Sequence, residues 1–389
     1  MPWQKVSLMD QRREFVALAS VEGANRRELC RRFRISPQTG YKWLLRSQQS
    51  DLALEDGSRR PHSNPLRCAD AMEALVLAVR DAHPAWGARK IECCLARDGH
   101  EPPAVSTIHA ILRRHGRVTP PAGKPGQPWQ RFEKDEPNLM WQMDFKGHMP
   151  LDGGGDCHPL TVIDDHSRYA VGLKACANEQ TNTVQDALIQ SFRCYGLPQT
   201  ILADNGSPWG DSAYRGWTRL GVWLLKLGVG LRHGRPYHPQ THGKNERFNR
   251  TLKAEVFALR SFRKLSDVQR ALDDWRIVYN LERPHQALGQ EVPASRYRPS
   301  PKPMPEKLPM VEYDEGEILR TVPRSKDYIS FKGRLWKVPQ AFRGERLAIR
   351  QTAKDGTFAI CFGAHQIAQI DFCEPVSYVS EQVSTMSQG

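Results

Sequence analysis

Residues 139–175 read LMWQMDFKGHMPLDGGGDCHPLTVIDDHSRYAVGLKA, and three apolar runs stand out within them: LMWQMDF, HPLTVID and RYAVGLKA. Glycine, aspartate and proline separate the runs, and short runs bounded by such turn residues specify strands. Moving outward toward the C-terminus, the pattern predicts a helix from Glu179 to Tyr195 and a strand TILAD ending at Asp204. Helices near 212–227 and 241–260 follow, and another from Leu265 to Leu281 closes the segment. Three sequential strands followed by alternating helix and strand describe an α/β domain on a mixed sheet, spanning residues 138–295.

Outward in the other direction, residues 117–137 (VTPPAGKPGQPWQRFEKDEPN) carry no apolar period and read as a linker. Before it lie two helical modules. In residues 1–48, a helix over 8–19 precedes another from Arg26 to Phe33. Ser36 then caps a third that opens on Pro37, with Tyr41, Leu44 and Leu45 expected to pack inward. That plan is a helix-turn-helix. Seven basic residues and one acidic residue lie between Arg26 and Arg46, and Gln38, Thr39 and Lys42 are expected to face a DNA groove. Residues 65–116 form a second helix-turn-helix-like module, with apolar positions at Ile91 and Leu95 and at Val105, Ile108 and Leu112. Beyond the core, residues 292–309 (VPASRYRPSPKPMPEKLP) read as a second linker. Five strand-like runs over 310–375 then predict a small C-terminal β-barrel that binds DNA or docks another subunit. The last dozen residues read as disordered.

Composition narrows the function. Lysine and arginine number 56 against 43 aspartates and glutamates, a net charge of +13, which favours a polyanionic partner, nucleic acid foremost. Nine cysteines without a CxxC pair, behind a start (MPWQKVSLMDQRR) that lacks an apolar leader, argue against a disulfide framework and for the reducing cytoplasm. No stretch approaches the roughly 20 apolar residues of a membrane span.

Three acids fall where chemistry gathers. Asp144 lies within a strand, and Asp204 ends another just before Asn205-Gly206, at the kind of strand end where ligands collect. Glu246 sits on the helix of YHPQTHGKNERFNRTLKAEVFAL, where Phe248, Leu252, Val256 and Leu259 make one apolar stripe and Glu246, Arg250 and Lys253 share the opposing face. Together with WQMDFKG, TVIDDHSRY and ILADNG, in this order, the segment closely resembles the catalytic core of bacterial insertion-sequence DDE transposases related to retroviral integrases. The resemblance implies a ribonuclease H-like fold over 138–295, with Asp144, Asp204 and Glu246 as the catalytic, metal-binding triad. Fifty-nine residues lie between Asp144 and Asp204 and forty-one between Asp204 and Glu246. The second spacing is longer than the family's usual one, and the excess is assigned to SAYRGWTRLGVWLLKLGVG.

Three carboxylates ionised at neutral pH repel one another unless cations bind between them, and oxygen-only ligands suit two Mg²⁺ or Mn²⁺ ions. The family's mechanism implies hydrolysis at an element end followed by attack of the freed 3′-hydroxyl on target DNA. Its partners are then double-stranded DNA and further copies of the chain, as a dimer or tetramer on paired ends, in the nucleoid-bearing cytoplasm. Lys244, Arg250 and Lys253 are expected to hold the DNA backbone beside Glu246. Asp164, Asp165, His166 and His238 read as structural, and Asp211 as a helix cap. His62, Cys68, His83, Cys93, Cys94 and His100 lack the spacing of a zinc module. A ribonuclease H-like nuclease that only hydrolyses and a catalytically inactive DNA-binding regulator are the competing readings.

Overall fold

The structure is a computed structural model that describes residues 7–49, 54–56, 67–118, 133–204, 206–210, 217–233 and 243–372. His62, Asp211, His238 and the C-terminal dozen lie outside these. The chain divides into two compact units, residues 1–67 and 68–389. Among the described residues no helix is long and apolar enough to cross a membrane.

The first unit holds α1 (Leu8–Ala19), α2 (Arg26–Arg32) and α3 (Pro37–Ser47). Ser7 and Asp10 form a reciprocal capping box at the start of α1, and Ser36 caps α3 by accepting from the Thr39 amide, with Pro37 in the first turn. Phe15, Ala19 and Cys30 form the core, and Trp43 is buried with the Arg12 guanidinium over its ring. The phase of α3 differs from the sequence expectation. Gly40, Trp43 and the partly buried Leu44 face inward, whereas Tyr41 is 52% exposed and Leu45 64%. Gly40 sets this phase, because a Cβ there would lie 2.6 Å from Cys30 Sγ and 2.8 Å from Phe15 Cζ, so α3 approaches the core along its one side-chain-free position.

In the second unit, α4 (Asp70–Ala82), α5 (Ala88–Arg97) and α6 (Val105–Arg114) enclose Val76, Ile91, Leu95, Ile108, Ile111 and Leu112. Buried Glu73 is paired with Arg114 and His115. His83 stacks on Trp86, and Cys94 is buried without a disulfide, so these residues are occupied by packing.

The central sheet is mixed. Its strands are β1 (Met140–Phe145), β2 (Met149–Pro150), β3 (Asp156–Asp164), β4 (Ala170–Cys176), β5 (Thr200–Ala203) and β6 (Gly230–His233). The antiparallel ladders β4–β3–β1 continue into the parallel ladders β1–β5–β6, and β2 pairs with the start of β3. Among the described residues four helices cover it: α7 (Thr181–Tyr195), α8 (Arg219–Lys226), α9 (Gly243–Leu252) and α10 (Leu265–Leu281). Strand alternation sorts the faces. Trp141, Met143, Leu160 and Val162 pack with Val184, Leu188 and Phe192 of α7 and Leu220 and Leu224 of α8. Ile163 packs on the other face with Phe248 and Leu252 of α9 and Trp275 and Tyr279 of α10. Gln142 and Asp144 alternate with Trp141 and Met143, and are paired in register with Ile163 and Thr161, so they project toward α9.

Both segments read as linkers are partly built into the core. The Lys134 amide donates to Asp165 Oδ2 at 2.9 Å and His166 bonds the Lys134 carbonyl at 2.8 Å, so the core's hydrogen bonding begins ahead of residue 138. Residues 293–304 form a strap. The Leu197 amide donates to the Lys302 carbonyl at 2.7 Å, the Ser300 amide to the Tyr195 carbonyl at 2.8 Å, and Tyr297 stacks on Tyr169 with ring centroids 4.2 Å apart. Gly196 permits the close passage: its φ is +76°, and a Cβ would lie 2.7 Å from the Ser300 carbonyl oxygen.

The C-terminal β domain contains β7 (Ile318–Thr321), β8 (Tyr328–Phe331), β9 (Arg334–Lys337), β10 (Arg346–Gln351), β11 (Thr357–Phe362) and β12 (His365–Asp371). Four strands form an antiparallel sheet in the order β12–β11–β10–β7, and the β8–β9 hairpin adds Ile329 and Phe331 to the same core. Val222 of α8 is buried in that core too, with Trp217 and Leu225 against it, while Leu220 and Leu224 face the central sheet. α8, which lies within the stretch to which the longer spacing was assigned, is thus shared by two cores.

Candidate active site

Asp144 lies near the carboxyl end of β1 and Asp204 comes directly after β5. The parallel register pairs Met140 with Thr200 and Gln142 with Leu202, and its continuation sets Asp144 level with Asp204. The Asp204 carboxylate accepts from the Gly206 amide at 3.0 Å, and its carbonyl bonds His233 Nδ1 at 2.7 Å, tying the end of β5 to β6. Glu246 is exposed in the first turn of α9. One turn on, Asn249 Nδ2 donates to Asp144 Oδ2 at 2.9 Å, so the helix that carries Glu246 is joined to the strand that carries Asp144. Thr161 Oγ1 donates to the Asp144 carbonyl at 3.0 Å and lies 3.3 Å from Asn245 Oδ1, a second link between β1 and α9.

This assembly sets the electrostatics. Burial pushes the Asp144 carboxyl up to about 7, and the neighbouring Asp204 and then Glu246 push in the same direction, against the lowering effect of hydrogen bonds from the Phe145 amide and Asn249. The donors are all oxygen and the repulsion is of the kind a divalent cation relieves, so their chemistry fits Mg²⁺ or Mn²⁺. Among the described residues no three His, Cys, Asp or Glu side chains are drawn together closely enough to hold an ion.

The expected cationic neighbours separate. Arg250 and Lys253 are exposed. Lys244 is not on that face: its ammonium lies 2.6 Å from the carboxylate of Asp165, and its side chain is only 13% exposed. Two residues turn an α-helix by about 200°, so Lys244 points inward where Glu246 points out. The apolar stripe also ends early. After Leu252 the helix continues as a π-helical turn, Lys253–Phe257, which shifts the phase and leaves Leu259 53% exposed. Asp164 and Asp165 are fully buried acceptors, as their structural reading anticipated. Two residues were not singled out from sequence: Asn249, bonded to Asp144, and the half-buried Lys146, whose ammonium lies over the Phe257 ring. The signals were a polar residue at i+3 from Glu246 and the lysine within WQMDFKG.

In the first unit Gln38 and Lys42 are exposed on α3, but the Thr39 hydroxyl lies 2.9 Å from Ser36 Oγ and serves the helix cap. Tyr41 and Leu45 take its place on the outward face, which the sequence reading assigned to the core.

The mixed sheet with α7 to α10 against it is an integrase-type α/β core, and the matches that follow support a polynucleotidyl transferase family. The integrase core domain family matches residues 134–239 and again 227–293. The C-terminal domain of the IS481 family of transposases matches 319–375, a homeodomain-like domain 39–112 and a helix-turn-helix domain 11–62. By these matches the chain carries an integrase core domain, helix-turn-helix domains and a C-terminal domain of the IS481 transposase type, the domain set of insertion-sequence transposases. It is 28% identical over 158 residues to an uncharacterized protein of insertion element IS407 from Burkholderia multivorans, covering 41% of this chain and 54% of that protein. It is 23% identical over 255 residues to a putative transposase of insertion sequence element IS5376 from Geobacillus stearothermophilus, covering 64% of this chain and 62% of that one. The chain thus spans between about half and two thirds of the length of these relatives. Among solved structures, it is similar to a chain of the simian T-cell lymphotropic virus intasome, with a TM-score of 0.37 and 18% identity over 77% of this chain and 96% of that one. It is also similar to the HTLV-2 integrase catalytic core domain in complex with magnesium, with a TM-score of 0.33 and 16% identity over 42% and 99%.

Proposed function

We propose that the chain binds the terminal inverted repeats of a mobile element, cleaves phosphodiester bonds at its ends and joins the freed 3′-hydroxyls to target DNA. Asp144, Asp204 and Glu246 act as the catalytic carboxylates and as the ligands of two Mg²⁺ or Mn²⁺ ions. The observation that carries this reading is the convergence of β1, β5 and α9, with Asn249 fastening the Glu246 helix to Asp144. When bound, the ions supply Lewis-acid activation of the attacking hydroxyl and neutralise charge on the departing oxygen. Asn249 orients the Asp144 carboxylate. Arg250 and Lys253, both exposed beside Glu246, hold the DNA backbone, and Lys146 lies close enough to Lys253 to feel its charge. Gln38, Tyr41, Lys42 and Leu45 present the outward face of α3 to the groove of an element end. The acting species is a dimer or tetramer on paired ends, in the nucleoid-bearing cytoplasm.

Asp144→Asn, Asp204→Asn and Glu246→Gln each remove a charged ligand at nearly constant volume. Each should abolish cleavage and strand joining of end-bearing DNA in Mg²⁺ while preserving folding and end binding. A variant that cleaves at the wild-type rate removes its residue from the triad. Cleavage without joining by the wild-type protein supports the hydrolytic nuclease, and end binding with neither step supports the regulator.

A further inference from the structure

We propose that Asp165 and Lys244 are positioning residues that set the spacing between Asp144 and Glu246, an inference that rests on the active-site reading above. Asp165 is fully buried at the turn after β3 and joins three separate stretches of chain. Its Oδ1 accepts from Gln142 Nε2 at 2.7 Å and lies 2.6 Å from Lys244 Nζ, while its Oδ2 accepts from the Lys134 amide at 2.9 Å. Lys244 Nζ also donates to the Asp165 carbonyl at 3.1 Å, and the Asp165 amide donates to the Met140 carbonyl at 2.9 Å. Arg168 donates to the same Asp165 carbonyl and pairs with Glu133.

The juxtaposition is specific to the two acids. Gln142 precedes Asp144 by two residues on β1, and residues two apart on a strand share a face. Lys244 precedes Glu246 by two residues on α9. One buried carboxylate oxygen therefore holds both elements, each just ahead of its acid. The Lys134 amide adds the segment through which the chain enters the core. A buried ion pair is directional, and loss of one partner strands the other's charge away from water. Loss of the ammonium leaves the Asn245 and Asn249 contacts to β3 and β1 without this anchor at the start of α9, and Glu246 drifts from Asp144.

The test compares full-length wild type, Lys244→Met, Lys244→Arg and Asp144→Asn. The measurements are end-DNA affinity against salt, Mn²⁺ affinity by calorimetry, end cleavage and amide hydrogen exchange. For Lys244→Met, end-DNA affinity and its salt slope should stay within about twofold of wild type, since the ammonium is held inward against the Asp165 carboxylate. Cleavage should fall at least about tenfold, because displacements of about 1 Å have effects of this size or larger. Mn²⁺ affinity should fall, and exchange should accelerate in the first turn of α9 but not in α10. Lys244→Arg should recover most of the lost cleavage.

A lowered salt slope in Lys244→Met would instead make Lys244 a phosphate contact and overturn the proposal. So would exchange that accelerates across α10 as well, or an arginine variant no better than methionine, since either marks general destabilisation. Asp144→Asn separates the two levels. If it is inactive while Lys244→Met cleaves normally, only the positioning role fails; if it cleaves too, the active-site assignment itself has failed.

Discussion

At the scale of single residues, environment decides what each side chain does, and Asp144 is the clearest case. Its carboxyl sits at about 7 in the folded protein against an ordinary 3.8, because it is buried beside two other acids. Between those values the unfolded chain has released its proton and the folded one has not. The metal-free protein should therefore lose stability as pH rises through this window, by an amount on the order of a few kcal/mol. Asp144→Asn lacks that titration, so in EDTA its melting temperature should move above wild type as pH rises from 5 to 8. Added Mg²⁺ should stabilise wild type more at pH 8 than at pH 6 and the asparagine variant at neither. Equal pH dependence of the two proteins would mean that Asp144 titrates normally. Gly40 carries a second prediction. Glycine to alanine inside a helix usually gains about 1 kcal/mol, but overpacking a core costs about 1–3 kcal/mol, and here the added methyl meets Cys30 Sγ at 2.6 Å. Gly40→Ala should lower the urea midpoint of the first unit, and adding Cys30→Ala should recover part of the loss.

Among the elements, α9 and its π-helical continuation show how a helix can begin as its sequence suggests and end otherwise. Phe248, Leu252 and Val256 are buried on the anticipated stripe, and the turn at Lys253–Phe257 then rotates the residues beyond it off that stripe. Glu255 stabilises that turn. Its carboxylate accepts from Trp275 Nε1 at 2.9 Å and from Arg283 Nε at 2.9 Å, and both charged side chains of the pair are 8% exposed. Glu255→Ala leaves the Arg283 guanidinium buried without its counter-ion and should destabilise the second unit by about 3–5 kcal/mol. Urea melts measure this directly, and a change below about 1 kcal/mol, the range of exposed pairs, would show the pair to be solvated. For α3 the sequence supplied the caps and the length, since Ser36-Pro37 is a local signal. Its phase depended on a glycine touching two other helices, which no local pattern reveals.

At the scale of domains, α8 joins the C-terminal β domain to the core. Trp217, Val222 and Leu225 lie against the β domain, and Lys226 pairs with Glu345 at 2.6 Å. Removing residues 310–389 uncovers this apolar side of α8, and an exposed apolar patch of that kind drives association. The truncated chain should therefore self-associate in size-exclusion chromatography, and Val222→Ser with Leu225→Ser should return it toward the monomer. A monodisperse truncation without those substitutions would show that the contact contributes little.

The sequence by itself determined the elements and the order of the acids. Strand alternation and helical caps are local, with periods of two and about 3.6 residues, and they mark the strands around Asp144 and Asp204 and the helix around Glu246. The tertiary structure alone decided contacts between distant segments. Lys244 meets Asp165 across 79 positions, α8 divides its faces between two cores, and proline-rich residues 293–304 are held by backbone hydrogen bonds to Tyr195 and Leu197. Composition reports how a segment behaves in isolation; whether its polar backbone is satisfied by water or by a neighbouring strand end is set by what folds against it.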